Sequence, residues 1–290
     1  MSTATITPQL VKDLREKTGA GMADCKKALE ESGGELQGAI EYLRKKGAAT
    51  VAKRSDRSAN EGLVVTKTTP DGMTAVIAEV NCETDFVARN EEFVAFVDQL
   101  AQSLLNARQH DMENIWDINA GTGTLKDMHN DILAKFSEKI ELRRHERMQT
   151  DGFIADYIHT GNRLGVLVEI DAPNPNDKVR TYMRDIAMQI AAMNPMFANR
   201  EQVTEAIIEK EKEIYRQQAE QEGKKPEIAE RVAAGRLEKF YQENCLVEQS
   251  FVKDSTKTVN EVLQDISKEM GREVKIRGFK RFMLGESTGE

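Results

Sequence analysis

Carboxylates and imidazoles are the first groups in this chain whose types could do chemistry. Glu79, Glu83 and Asp85 lie close together, and His110, His129, His145 and His159 supply four imidazoles. Paired carboxylates suit acid–base work and histidine sets suit metal ligation, but each needs partners at defined spacing. None of the histidines has His-Glu-x-x-His or Cys-x-x-Cys company. Hydrolase and metalloenzyme chemistry are therefore set aside, no cofactor or metal is expected, and the chain is not read as an enzyme.

What remains unusual is the stretch that holds those carboxylates. The apolar run Ala75-Val76-Ile77-Ala78-Glu79-Val80 breaks through Asn81-Cys82-Glu83 into Thr84-Asp85-Phe86-Val87, then Ala88-Arg89. An aromatic stands where a loop is ordinarily polar. One reading gives Phe86 a docking role, because loops carried on a rigid scaffold are where binding residues concentrate. The other has Phe86 cap the core over a helix starting at Asn90.

The surrounding elements follow from periodicity. Leu63 to Thr69 reads as a strand, Pro70-Asp71-Gly72 as a hairpin turn and Ala75 to Val80 as the returning strand. Residues 90 to 105 then make an amphipathic helix with Phe93, Phe96, Val97, Leu100 and Leu104 on one stripe. The same plan recurs further on. Gly62 and Gly152, Val76 and Val166, Glu79 and Glu169, Gln99 and Gln189, and Ala101 and Ala191 are all 90 positions apart, without a gap over about forty residues. Two related α+β subdomains packed as a pseudo-symmetric core are expected. Where the first copy has Thr84-Asp85-Phe86-Val87, the second has Asn174-Pro175-Asn176-Asp177, an ordinary polar turn.

Ahead of this core, Thr7-Pro8 opens a helix carrying Leu10, Val11 and Leu14. A second helix runs from about Met22 to Glu31, and a third carries Leu36, Ala39, Ile40 and Leu43 up to Gly47. The three form a compact module that resembles the ubiquitin-associated type of bundle, which faces a protein partner. The Gly19-Ala20-Gly21 turn lacks the Gly-Lys-Ser/Thr ending of a phosphate-binding loop and follows a helix, so it reads as a tight turn. Arg44, Lys45, Lys46, Lys53, Arg54 and Arg57 read as a solvated linker.

Residues 200 to 244 are rich in charge and Gln, with a Gly223-Lys224-Lys225-Pro226 turn between two helical patterns. An antiparallel helical hairpin is expected, its thin seam formed by Val203, Ile207 and Ile214 against Ile228, Val232 and Phe240. Taken alone, its charge-rich outer faces read as bare solvated surface. Beyond it Phe251-Val252 re-enters the core, Thr258 caps a helix, and Val274 to Phe282 closes a sheet. On that edge-like strand Lys275, Arg277 and Arg281 are expected to discourage aggregation. The fold class is α+β: a three-helix module with linker at 1–57, one core subdomain at 58–150, a second at 151–199 and 245–290, and the inserted arm at 200–244.

Composition narrows the partners. A net charge of -8 over 290 residues makes nucleic acid a poor first guess. No apolar stretch approaches the ~20 residues of a bilayer span, and no targeting segment is evident, so a cytoplasmic protein without membrane contact is expected. Cys25, Cys82 and Cys245 are odd in number and far apart, as for reduced, buried thiols.

Two long segments carry a family resemblance. Leu14-Arg15-Glu16-Lys17-Thr18-Gly19-Ala20-Gly21-Met22, continuing through Asp24 to Leu29, and Glu79 through Arg89 resemble the two signature motifs of the bacterial elongation factor Ts family. The likeness extends over the module, the duplicated core, the arm and Ser255 to Val259. Asn106 to Gly123, with Trp116, departs from it by being longer and more irregular.

The resemblance implies a guanine-nucleotide exchange factor for elongation factor Tu that acts in translation without forming covalent bonds. It implies that the partner is met in its GDP-bound and nucleotide-free forms, and that the helical arm serves self-association as a homodimer or contact with the partner, beside the reading of its faces as bare solvated surface. Thr84, Asp85, Phe86 and Val87 would dislocate the partner's Mg²⁺, and Arg15, Met22 and Lys26 would hold its nucleotide-binding domain. The alternative is a non-catalytic, ubiquitin-associated-like scaffold that binds a translation protein without remodelling it.

Overall fold

The computed structural model describes residues 6–18, 20–54 and 56–287, with the side chains of 47–53 outside that description. Gly19, and with it part of the expected Gly-Ala-Gly turn, lies outside the described residues. The chain divides into two compact units. One comprises Met1–Lys67, Val76–Arg147 and Phe282–Glu290, the other Thr68–Ala75 and Met148–Arg281. Helices and small sheets alternate in both, which makes the protein an α+β chain.

The first unit begins with α1 (Pro8–Thr18), α2 (Met22–Glu31) and α3 (Leu36–Arg54). Thr7 Oγ1 accepts from the Leu10 amide at 3.2 Å and opens α1. Val11, Leu14, Cys25, Ala28, Leu29, Ala39 and Leu43 close a small core of their own. The third helix does not stop at Gly47. It runs on through Arg54, because a glycine inside a helix costs only about 1 kcal/mol against alanine, too little to end one. From Arg44 to Arg54 the basic segment is therefore helix rather than linker, with Arg57 just beyond it, and Arg44 faces Asp131 at 3.7 Å.

Next come β1 (Glu61–Thr68) and β2 (Thr74–Cys82), the one-turn α4 (Asp85–Ala88) and α5 (Glu91–Asn106). A 3-10 segment over Gln109–Asp117 leads to α6 (Leu125–Lys135) and β3 (Glu141–Gln149), which joins the sheet in the order β1-β2-β3. Phe93, Phe96, Val97, Leu100 and Leu104 of α5 form the centre of this core, as their spacing predicts. The irregular insertion has a packing role. Met112, Ile115 and Trp116 lie on the same core, and the His129 ring sits 4.9 Å from the Trp116 ring and 6.1 Å from that of Phe96.

The second unit holds β4 (Phe153–Ile158) and β5 (Leu164–Ile170), paired antiparallel with Phe153 opposite Ile170. α7 (Asp177–Met193) packs on them. The arm follows as α8 (Glu205–Gln221) and α9 (Pro226–Asn244), joined by a turn in which Gly223 takes φ +81°. Its seam keeps the expected Val203 and Phe240, with Ile207 packed against them, and departs from expectation at Ile228. Ala229, Ala233, Leu237, Phe240 and Tyr241 are buried, whereas Ile228 is 50% exposed. Ala229 and Ala233 line the seam one turn apart, and Leu237, Phe240 and Tyr241 cluster with Val203 and Cys245. After β6 (Ser250–Phe251) and β7 (Asp254–Thr258), Thr258 and Glu261 form a capping box on α10 (Val259–Met270), and β8 (Ile276–Met283) ends the sheet in the order β4-β5-β8. Phe251 is buried but Val252 is exposed.

The 90-residue correspondence reaches atomic detail. A Cβ on Gly62 would stand 2.1 Å from the carbonyl oxygen of Val80, and one on Gly152 would stand 2.0 Å from that of Ile170. In each hairpin the glycine lets one strand pass tightly over the other. The paired glutamates are also treated alike. Fully buried Glu79 accepts from Arg144 Nε on β3 at 2.7 Å and from the Gly285 amide at 2.9 Å. Glu169 accepts from Thr150 Oγ1 at 2.5 Å and from Arg277 Nη1 on β8 at 3.2 Å. Arg277, which also pairs with Asp151, is thus an ion-pair partner inside its unit and not a bare edge cation.

Candidate functional site

The site is a sharp exit from a buried strand. β2 is apolar from Ala75 to Val80 apart from the buried Glu79, and burial pushes the Cys82 thiol up to about 12, with the nearby Glu138 charge adding to the effect. Held neutral, the Cys82 thiol donates to the Thr84 carbonyl at 3.2 Å. Thr84 is extended, with φ -126° and ψ 155°, and its Oγ1 accepts from the Val87 amide at 3.4 Å, so it caps α4. A helix of four residues has too few bonds to stand alone. It persists here because Val87 and Ala88 are buried in the first unit's core and because its start is braced from outside.

The brace is a pair of crossed carboxylates. Glu138, in the loop between α6 and β3, accepts from the Glu83 amide at 3.1 Å and the Thr84 amide at 3.0 Å through Oε2, and from the Thr84 hydroxyl at 2.6 Å through Oε1. In return Glu83 Oε1 accepts from the Lys139 amide at 2.6 Å and from Arg57 Nη1 at 3.2 Å. The Lys139 amide bond and the Arg57 guanidinium hold the Glu83 carboxyl below the usual carboxylate range. Arg54, from the end of α3, donates to the carbonyls of Phe136 and Glu138 at 3.0 and 3.2 Å. The two arginines of the basic segment therefore fix the loop that fixes the turn.

On this platform Phe86 is 84% exposed. That excludes the reading in which it caps the core over Asn90; Val87 and Ala88 do that work, and Asn90 caps α5 through its own side chain, accepting from the Glu92 amide at 2.9 Å. Asp85 pairs with Arg89 one turn on, at 3.1 Å and well exposed. Such a pair is worth about 0.3–0.5 kcal/mol, little enough to be exchanged for another contact. The sister turn lacks the device: Asn174 takes a left-handed φ of 54° and Asn176 caps α7 directly.

The other expected contact residues lie on the helical module. Met22 opens α2 and is 48% exposed, Lys26 stands one turn on and faces Glu30 at 3.9 Å, and Arg15 is exposed on α1. Met22 and Lys26 share one helix face. The structure brings Thr84 to Val87 together as one projection and leaves the α1 and α2 residues on a separate, smaller bundle within the same unit. Glu138, Arg54 and Arg57 were not legible as site residues, since nothing local in the sequence couples a glutamate to a turn so distant along the chain.

The profile of the family described as elongation factor TS matches residues 83–286. The chain is 47% identical over 285 residues to elongation factor Ts of Clostridium kluyveri, covering 97% of this chain and 93% of that relative. It is 45% identical over 285 residues to elongation factor Ts of Chlorobaculum tepidum, covering 97% and 99%, and 43% identical over 288 residues to that of Chloroherpeton thalassium, covering 98% and 99%.

Proposed function

We propose that this chain, which belongs to the elongation factor Ts family, is a guanine-nucleotide exchange factor for elongation factor Tu in the elongation phase of protein synthesis. The observation that carries the proposal is Phe86, an aromatic left 84% exposed on a helix turn that is otherwise tied down. An aromatic projecting from a rigidly held turn is the kind of residue that anchors a protein interface.

In the exchange step Phe86 enters a pocket of the partner and stabilises a packing in which the partner's Mg²⁺-holding loop has moved. Thr84 keeps the turn closed, Asp85 exchanges its Arg89 contact for donors on the partner, and Val87 anchors the turn to the core. Once Mg²⁺ is displaced, the charge of the GDP phosphates is no longer neutralised and GDP leaves; GTP then refills the site. No bond is made or broken. Arg15, Met22 and Lys26 hold the partner through the helical module, which we read as ubiquitin-associated-like. The two hairpin-and-helix units are read as a duplication in which only the first copy acquired a projecting turn.

Linkage fixes the test. If the chain weakens GDP binding by some factor, GDP must weaken the chain's binding by the same factor. Calorimetric titration of the chain into elongation factor Tu is expected to give tighter binding to the nucleotide-free form than to the GDP form, by the factor measured for GDP. Equal affinity for both forms would identify a scaffold instead.

A further inference from the structure

We propose that Glu138 is a positioning residue for Phe86, holding the 83–86 turn in the one conformation that presents the ring. The inference rests on the reading of Phe86 as the exchange element and extends it to a residue in another loop.

Three donors converge on this single carboxylate: the amides of Glu83 and Thr84 at 3.1 and 3.0 Å, and the Thr84 hydroxyl at 2.6 Å. An ionised carboxylate can accept all three at once, and charge-assisted bonds of this kind are the strong ones. The hydroxyl bond has a second effect. With its hydrogen committed to Glu138, Thr84 Oγ1 can offer only lone pairs to the Val87 amide, which is the bond that caps α4. The ring itself contributes no restraint, being 84% exposed. Its direction is inherited entirely from the backbone of residues 84–86.

The support continues behind Glu138. Arg54 binds its backbone carbonyl at 3.2 Å, Arg57 binds the carbonyl of Ser137 at 3.4 Å, and the Lys139 amide returns a bond to Glu83 at 2.6 Å. Neither end of the clasp can rotate without breaking bonds at the other. Removing the carboxylate leaves the strand and α5 intact, because Val87 and Ala88 remain buried, but it frees the turn between them. A freed turn presents Phe86 in several directions, and only one of them fits a pocket.

The test is a double-substitution cycle on the full chain. Maximal GDP release from elongation factor Tu is measured at saturating concentrations of wild type, Glu138→Ala, Phe86→Ala and the double variant, together with amide hydrogen exchange at Glu83, Thr84 and Val87. Glu138→Ala is expected to lower the maximal rate at least tenfold with half-saturation changed less than threefold, to speed amide exchange at the three positions, and to add less than twofold in the Phe86→Ala background. Glu138→Gln, which keeps an acceptor but places an NH₂ beside the three donors, is expected to fall between wild type and Glu138→Ala and serves if the alanine variant does not fold. If Phe86→Ala slows release but Glu138→Ala matches wild type, or the two losses multiply in full, the positioning role is overturned while the exchange reading stands. If Phe86→Ala itself matches wild type, the exchange reading has failed; unchanged amide exchange in the Glu138 variants would overturn the clasp independently of any activity.

Discussion

Truncating Phe86 separates function from stability more cleanly than any other substitution in the chain. The ring is 84% exposed and packs on nothing that its removal would unsettle. Surface changes of that kind ordinarily move stability by less than about 0.5 kcal/mol. In the complex the same ring is to be covered completely, and full burial of a phenylalanine is worth about 1.5–3 kcal/mol. If that burial is realised where the partner's Mg²⁺ loop has moved, Phe86→Ala loses it from the exchange barrier. At about 1.4 kcal/mol per tenfold in rate, GDP release should slow by about 10- to 150-fold. Stopped-flow release of fluorescent GDP, with circular dichroism and thermal unfolding of the free variant alongside, gives both numbers. Wild-type release would refute the docking role, and an unfolding midpoint well below wild type would refute the claim that Phe86 is structurally idle.

Three further outcomes concern the scaffold. Arg144→Ala leaves the fully buried Glu79 carboxylate without its 2.7 Å partner, and breaking a buried pair costs about 3–5 kcal/mol; urea unfolding of the first unit, followed by Trp116 fluorescence, should show that loss, and a change under 1 kcal/mol would contradict the pairing. Gly152→Ala drives a Cβ to 2.0 Å from the Ile170 carbonyl and should cost more than about 2 kcal/mol, read as a lower denaturation midpoint of the second unit; a neutral result would overturn the tight crossing. Burial holds the His129 pKa below its ordinary value, so the unfolded chain takes up the proton first and stability is present above the ordinary histidine pKa and lost as pH falls through the folded value. Trp116-monitored stability should therefore decline below about pH 6.5, and more steeply than in His129→Asn; parallel profiles would remove His129 as the cause.

Much of this was legible because it is local. Periodicity placed α1, α2, α5 and α10, and subtracting 90 located the glycines and glutamates that the two units share. β3 escaped because Glu141 to Gln149 is dense in charge and partly buried along its length, with no alternation to read. The signal was indirect: a glutamate inside the apolar run of β2 requires a cation, and β3 carries Arg144. In the arm, bulk marks Val203 and Phe240 correctly but not Ile228, and gives no sign of the buried Ala229 and Ala233. The end of α3 is not legible at Gly47, because a glycine inside a helix costs too little to end it. The same continuation brings Arg54 to the carbonyl of Glu138, with Arg57, three residues on, at that of Ser137.

As an exchange factor, this chain is expected to accelerate GDP release without being consumed. The direct measurement mixes elongation factor Tu, loaded with fluorescent GDP, with a large excess of unlabelled GDP and a small substoichiometric amount of the chain. The account predicts complete release at a rate proportional to the amount of chain added, with many GDP molecules released per chain. Release at the spontaneous rate, or a burst limited to one GDP per chain, would contradict it.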